Sequence, residues 1–328
     1  MRKEKHNECK QVLLVILAIM FLFTVGCSVD STKDQTTKLK DDKLAATAVR
    51  GEKDEHISTE KQDVLDKPED LPTDTLEVSV YDAVDPDILH ANELGQIMVL
   101  MYHHIREPEA EWSRTPDNFR RDLENLYLEG FRPIPLIDYA QGKIDVPAGK
   151  SPVVLTFDDG NENNFKMIED SDGQWIIDPD CAVGILMEFH ENHPDFLPHA
   201  TFFINGGIPF GQPDWVDYKF RFLVENGMDI GNHTETHVHL GDVTAERLQQ
   251  ELGRVQLMVQ QVLPDYQVEM FALPFGSRPR DESVAAYVEA GEYQGIVYDH
   301  AAVLEVGWDP YHSPYHKDFN PYRMRRIR

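Results

Sequence analysis

From about residue 97 onward, apolar positions switch repeatedly between two spacings. Short runs dense in Val, Ile, Leu and Phe predict buried strands over 97–102, 132–134, 152–157, 200–205, 229–230, 270–273 and 295–298. A last strand is expected over 322–327. Between them, apolar residues recur every three or four positions and predict helices. Thr115 caps and Pro116 opens a helix carrying Phe119, Leu123 and Leu126, which Gly130 ends. Asp178-Pro179 opens another to about residue 192, and helices follow over 216–226, 244–263 and 282–290. The longest puts Leu248, Leu252, Val255, Met258 and Val259 on one face, a stripe that reads as core rather than as a cofactor box. Over 167–177, alternating residues flank Asp172-Gly173 and predict a hairpin insertion. Asp170 and Asp172 make a plain turn rather than a calcium loop, because Ile168 fills the first ligand position. Repeated strand–helix alternation implies a parallel sheet or barrel.

The N-terminal part follows a different pattern. Arg2, Lys3, Lys5 and Lys10 form a basic stretch, and residues 12–23 are unbroken apolar, of signal-peptide length and too short for a good span. Thr24-Val25-Gly26-Cys27 resembles a bacterial lipobox, with Thr24 where Leu is commoner. Cleavage before Cys27 would remove Cys9, make Cys27 the lipid-bearing N-terminus and leave Cys181 alone, so no intrachain disulfide could form. Residues 1–26 are expected to be a lipoprotein signal peptide. Residues 27–95, rich in Lys, Asp, Glu, Thr and Ser, are expected to be a charged, disordered tether, and residues 96–328 the catalytic domain. Apolar stretches at 76–81 and 88–94 are expected to pack on the domain edge. The expected location is the outer face of a bacterial cytoplasmic membrane.

Charge narrows the partners. The 328 residues hold 31 Lys+Arg against 58 Asp+Glu, a formal net charge of -27. With no compensating basic stripe, such a chain repels nucleic acid. No internal repeat is present, and a monomer is expected.

Two short segments carry the chemistry. Thr156-Phe157-Asp158-Asp159-Gly160 ends an apolar strand. Neighbouring side chains on a strand point to opposite faces, so Asp158 and Asp159 should diverge, one towards a metal and the other towards substrate. Gly160 allows a sharp turn. In His233-Thr234-Glu235-Thr236-His237, the two histidines are four apart, which on a helical turn puts both on one face. His239 would fall off that face. Imidazole with carboxylate suits Zn²⁺ and accepts Co²⁺, Ni²⁺ or Mn²⁺. Three protein ligands would leave positions open for water and substrate, as in catalytic sites. The bland readings are a solvated Asp-Gly turn and a surface histidine pair.

With these segments in view, the chain resembles the polysaccharide deacetylase family, the NodB-homology domains of carbohydrate esterase family four. Five pieces match in family order: Met101-Tyr102-His103-His104, Thr156 to Gly160, the strand Ala200-Thr201-Phe202-Phe203-Ile204-Asn205, His233 to His237, and Leu273-Pro274-Phe275-Gly276. The resemblance covers roughly residues 97–328. It implies a distorted (β/α) barrel of about seven strands, with the motifs at strand C-terminal ends. It further implies Asp159, His233 and His237 as metal ligands, Asp158 as general base and the Phe275 backbone N–H as oxyanion donor. Two departures stand out. The family's third motif often has an Arg two residues before its Pro, where this chain has Ala272; Arg278 or Arg280 could substitute. The Leu-x-His that supplies a general acid has no clear match, leaving His300, with His312 and His316, as candidates by location only.

The implied activity is metal-dependent removal of acetyl from N-acetylated sugars of peptidoglycan or a chitin-like glycan. Two alternatives remain. One is an O-acetyl-polysaccharide esterase using the same site. The other is a catalytically degenerate glycan-binding lipoprotein, motivated by Ala272 and the missing fifth motif.

Overall fold

The computed structural model describes residues 94–328. The expected signal peptide, Cys27, the 76–81 stretch and nearly all of the tether lie outside the described residues. Seven strands run in parallel and are neighbours in chain order: β1 (Met98–Tyr102), β2 (Ser151–Phe157), β3 (Thr201–Ile204), β4 (Asp229–Asn232), β5 (Met270–Ala272), β6 (Ala302–Val306) and β7 (Met324–Arg326). The ring nearly closes, because the Met101 N–H donates to the Ile327 carbonyl and the Ile327 N–H to the Val99 carbonyl, each at 2.7 Å. The short strand Phe131–Pro133 adds to β2 off this path. The architecture is therefore the expected (β/α) barrel of about seven strands.

Strand alternation divides the core. Val153, Leu155 and Phe157 of β2 face an outer layer with Phe119, Leu123, Ile185 and Phe189 from the helices. Val154, Val99, Phe203, Ala272, Leu304 and Met324 fill the inner cluster. Burial on both faces explains why these strands read as continuous apolar runs rather than as alternating ones. The helices end where their chemistry dictates. Thr115 Oγ1 accepts from the Asn118 N–H to start Pro116–Leu128. Thr244 does the same for Ala245–Val262, accepting from the Arg247 N–H.

Three elements differ from the sequence expectation. The 295–298 segment is not a barrel strand: Ile296–Asp299 pairs antiparallel with Ala290–Tyr293 in a hairpin outside the ring. The barrel strand is the next apolar run, Ala302–Val306, and hydrophobicity alone does not rank the two. The 282–290 helix stops at Ala285 and continues only as a single tighter turn, Ala286–Val288. The helix expected from Asp178 begins at Ala182. The residues before it form a turn in which the Asp178 side chain accepts from the Asp180 N–H. The 167–177 hairpin forms as expected, with Met167–Glu169 against Trp175–Ile177.

Candidate metal-binding active site

The strands deliver their C-terminal ends to one rim, and the two motifs meet there. Asp158 continues the inward alternation of Val154 and Thr156, and its side chain is buried. Arg326, also buried, grips it with both guanidinium ends: Nη1 to Oδ1 at 2.6 Å and Nη2 to Oδ2 at 2.7 Å. Burial alone would raise this carboxyl. The Arg326 guanidinium, helped by His233 and His103, outweighs burial and holds it well below the usual carboxylate range. Asp159 leaves the strand with φ +74° and turns away. Gly160 follows at φ +58°, and a Cβ there would lie 3.1 Å from Ile204 Cγ2, so the tight turn selects glycine.

The histidine segment follows β4. The Asn232 side chain accepts from the Thr234 N–H at 2.9 Å and donates to the Leu252 carbonyl at 3.0 Å. Glu251 takes the Thr236 N–H and hydroxyl at 2.8 and 2.6 Å, so the loop is fastened to the helix Ala245–Val262. The loop is not the helical turn that the four-residue spacing suggested, since Thr234 and His237 both have positive φ. The bent loop nevertheless brings His233 and His237 together. His237 Nε2 lies 3.4 Å and His233 Nε2 3.6 Å from Asp159 Oδ1. The three candidate ligand atoms lie within 4.8 Å of one another. Of six non-glycine residues with positive φ among those described, Asp159, Thr234, His237 and Phe275 are on this rim, and strain of that kind gathers at working sites.

The donor set fits a divalent metal. His233 Nδ1 is 2.7 Å from the Ala272 carbonyl, which makes it the N–H donor and turns the free Nε2 lone pair towards Asp159. Burial lowers the His233 pKa against the pull of Asp158 and Asp159, favouring the neutral ring that a ligand must be. Two imidazoles and one carboxylate form the borderline set that zinc and its neighbours accept.

The cleft over this cluster, about 500 Å³, is lined by Asp158, Asp159, His233, His237, His103, Trp112, Leu273 and Phe275, among others. Phe275 has its ring 4.5 Å from that of His237 and φ +58°. Its N–H precedes the first hydrogen bond of its turn, which runs from the Gly276 N–H to the Leu273 carbonyl. That leaves the Phe275 N–H without a helical partner.

Two expectations need correction. His300 is not at the cleft. It is buried between Phe271 and Tyr298, its Nδ1 is held by the Val288 carbonyl at 2.8 Å, and burial pushes its pKa down to about 4. A neutral, enclosed imidazole cannot protonate a leaving group. His312 and His316 stack on each other and likewise lie outside the cleft-lining residues. Neither Arg278 nor Arg280 replaces the missing motif arginine: Arg278 binds Glu305 and the Tyr322 carbonyl, and Arg280 binds Asp242. Arg326 takes that place from the last strand. A signal for it was present in the sequence, because Met324 and Arg326 share one face of that strand, and a buried arginine needs an anionic partner. His103, quoted only as part of the first motif, lines the cleft with Nε2 3.9 Å from Asp158 Oδ2.

A nearly closed parallel barrel with a His-His-Asp cluster and a clamped carboxylate on its C-terminal rim is an architecture suited to hydrolysis. The polysaccharide deacetylase family model matches residues 196–295, a span that includes the histidine segment and Phe275. Among solved structures, the chain is similar to BA0330 of Bacillus anthracis, with TM-score 0.54, 20% identity and coverage of 72% of this chain and 65% of that one. It is also similar to the Streptococcus pyogenes deacetylase PplD in complex with acetate, with TM-score 0.51, 21% identity, and 72% and 92% coverage. A curated relative, an uncharacterized 30.6 kDa protein of Geobacillus stearothermophilus, is 27% identical over 113 residues; the chain spans about a third (34%) of its length. The family match falls on the part of the domain that carries the histidine segment, and the solved structures share the fold.

Proposed function

We propose that this chain is a metal-dependent deacetylase that removes acetyl from N-acetylated sugars of cell-wall or extracellular polysaccharide. The observation that carries this reading is the Asp159-His233-His237 cluster with Asp158 held separately beside it. Asp159, His233 and His237 would hold the metal, proposed as Zn²⁺, which when bound polarises a carbonyl and lowers the pKa of water. Asp158 accepts the proton from the attacking water; its pairing with Arg326 keeps it ionised and fixes its orientation. The Phe275 N–H is placed to donate to the oxyanion. Leu273 and Phe275 supply apolar surface for the acetyl methyl. His103, with Nε2 3.9 Å from Asp158 Oδ2, protonates the departing sugar amine, the role first sought in His300. The Arg326 clamp also favours an enzyme over an inert glycan-binding protein, because it supplies the contact whose apparent lack at Ala272 motivated that alternative.

We further propose that the domain is exported and tethered through a lipid at Cys27, as a monomer acting on glycan near the membrane. N-terminal mass analysis with detergent partitioning tests the anchor, and an unmodified Cys27 in the exported protein would refute it. Acetate release from peptidoglycan, chitin oligomers and acetylxylan tests the activity. Release from the first two supports an amidase on N-acetyl groups, whereas release from acetylxylan alone would make the protein an O-acetyl esterase.

A further inference from the structure

Three side chains at the edge of the cleft take no part in the chemistry above. Trp112 lines the cleft, with its ring 4.7 Å from that of His103. The Arg328 guanidinium lies 4.7 Å from the Trp112 ring centre and 4.8 Å from that of Trp308, so one cation touches two indoles. Arg328 Nη1 also donates to Glu111 Oε1 at 2.8 Å, which already balances its charge. Trp308 stands two residues beyond Val306, itself a cleft residue, and is 66% exposed. An indole held in place by a cation yet left largely in water offers a rigid apolar plane with little ordering still to be lost on binding. Such a surface beside a polar cleft marks a binding site.

We propose that Trp308 and Trp112, braced by Arg328, form a subsite outside the catalytic pocket for a neighbouring, uncharged pyranose ring of the same glycan, so that the enzyme favours sugars within a chain over single sugars. The C–H face of a pyranose is apolar and matches an indole plane, while its edge hydroxyls can meet Glu111 and Arg328. Arg328 is paired, which argues for a neutral ring rather than an anionic group. This proposal rests on the deacetylase reading, and the test separates the two.

The probes are the pentamer and the monomer of N-acetylglucosamine. Calorimetric affinity for the pentamer is measured in the Asp158→Asn background, where turnover does not interfere, and the pentamer-to-monomer ratio of kcat/KM is measured in the otherwise native chain. Trp308→Ala should lower both quantities about 10-fold. Trp308→Tyr should recover most of the loss. Trp175→Ala removes an exposed indole on the separate hairpin and should leave the ratio unchanged. If Trp308→Ala stays within about twofold of wild type in both measurements, or if monomer and pentamer lose equally, or if the pentamer does not bind, the proposal is overturned. Trp308-dependent binding of the pentamer with no acetate released from any substrate would support the subsite and refute the deacetylase reading.

Discussion

Arg326 and Asp158 are the pair on which the site turns at the scale of single residues. Both are buried, and the two Nη atoms of Arg326 meet the two carboxylate oxygens of Asp158. Removing one partner of such a pair leaves a buried charge and costs about 3–5 kcal/mol. Arg326→Ala should therefore lower thermal stability and also move the acid limb of the pH–rate profile upward. The sign follows from burial, which raises the Asp158 carboxyl once the guanidinium is gone, so that a higher pH is needed to ionise the base. A loss of rate with no change in profile would mean that Arg326 supports folding alone. The two adjacent carboxylates should also separate. Asp158→Asn keeps the metal and loses roughly 10²–10⁴-fold in rate. Asp159→Asn weakens metal binding, and excess metal should restore part of its activity. Equal metal loss in both variants would contradict the division of labour. Both carboxylates were legible in the sequence as site residues, but strand alternation does not set them apart: Asp159 leaves the strand at φ +74°, and Asp158 and Asp159 come within 3.9 and 3.6 Å of the same His233 Nε2. For Arg326 the last strand's alternation signalled a buried arginine but not its partner, because an ion pair between residues 168 apart in the chain has no local signature.

At the scale of elements, the parallel strands and the capped helices were legible because their patterns are local: apolar runs, Thr caps and Pro at the first helical position. The choice between residues 296–299 and Ala302–Val306 as a barrel strand was not, since both are short and apolar and only the closing of the ring selects the second. The histidine segment shows a similar gap. Its spacing pointed to a shared ligand face, but the face is made by left-handed residues and the anchor on Glu251 rather than by a helix. The opposite end of the barrel gives an independent prediction. Asp229 begins β4, and burial, with Glu269 and Asp138 nearby, raises its pKa to about 7. A carboxyl raised in the folded state stabilises it fully below the unfolded value of about 3.9 and loses that contribution as pH rises through about 7. Asp229→Asn should therefore raise the melting temperature more at pH 8 than at pH 5. An equal shift at both would show that Asp229 titrates normally.

Across the whole molecule, the barrel gathers residues from four strand ends and the final strand into one cleft: His103 beyond β1, Asp158 and Asp159 beyond β2, His233 and His237 beyond β4, Phe275 beyond β5, and Arg326 on β7. A ligand that binds only the assembled site stabilises the fold, by about 2.7 kcal/mol at one hundred times its dissociation constant. Zinc should accordingly raise the melting temperature of the wild type and should do so much less for His237→Ala. A shift of the same size in that variant would place zinc elsewhere. The most direct test of the central claim follows acetate release from the N-acetylglucosamine pentamer while metal-stripped protein is titrated with Zn²⁺. The account predicts no release without metal and a rise that saturates near one equivalent per chain. Full activity in the stripped protein, or none in the zinc-loaded protein on this or any other acetylated glycan, would contradict it.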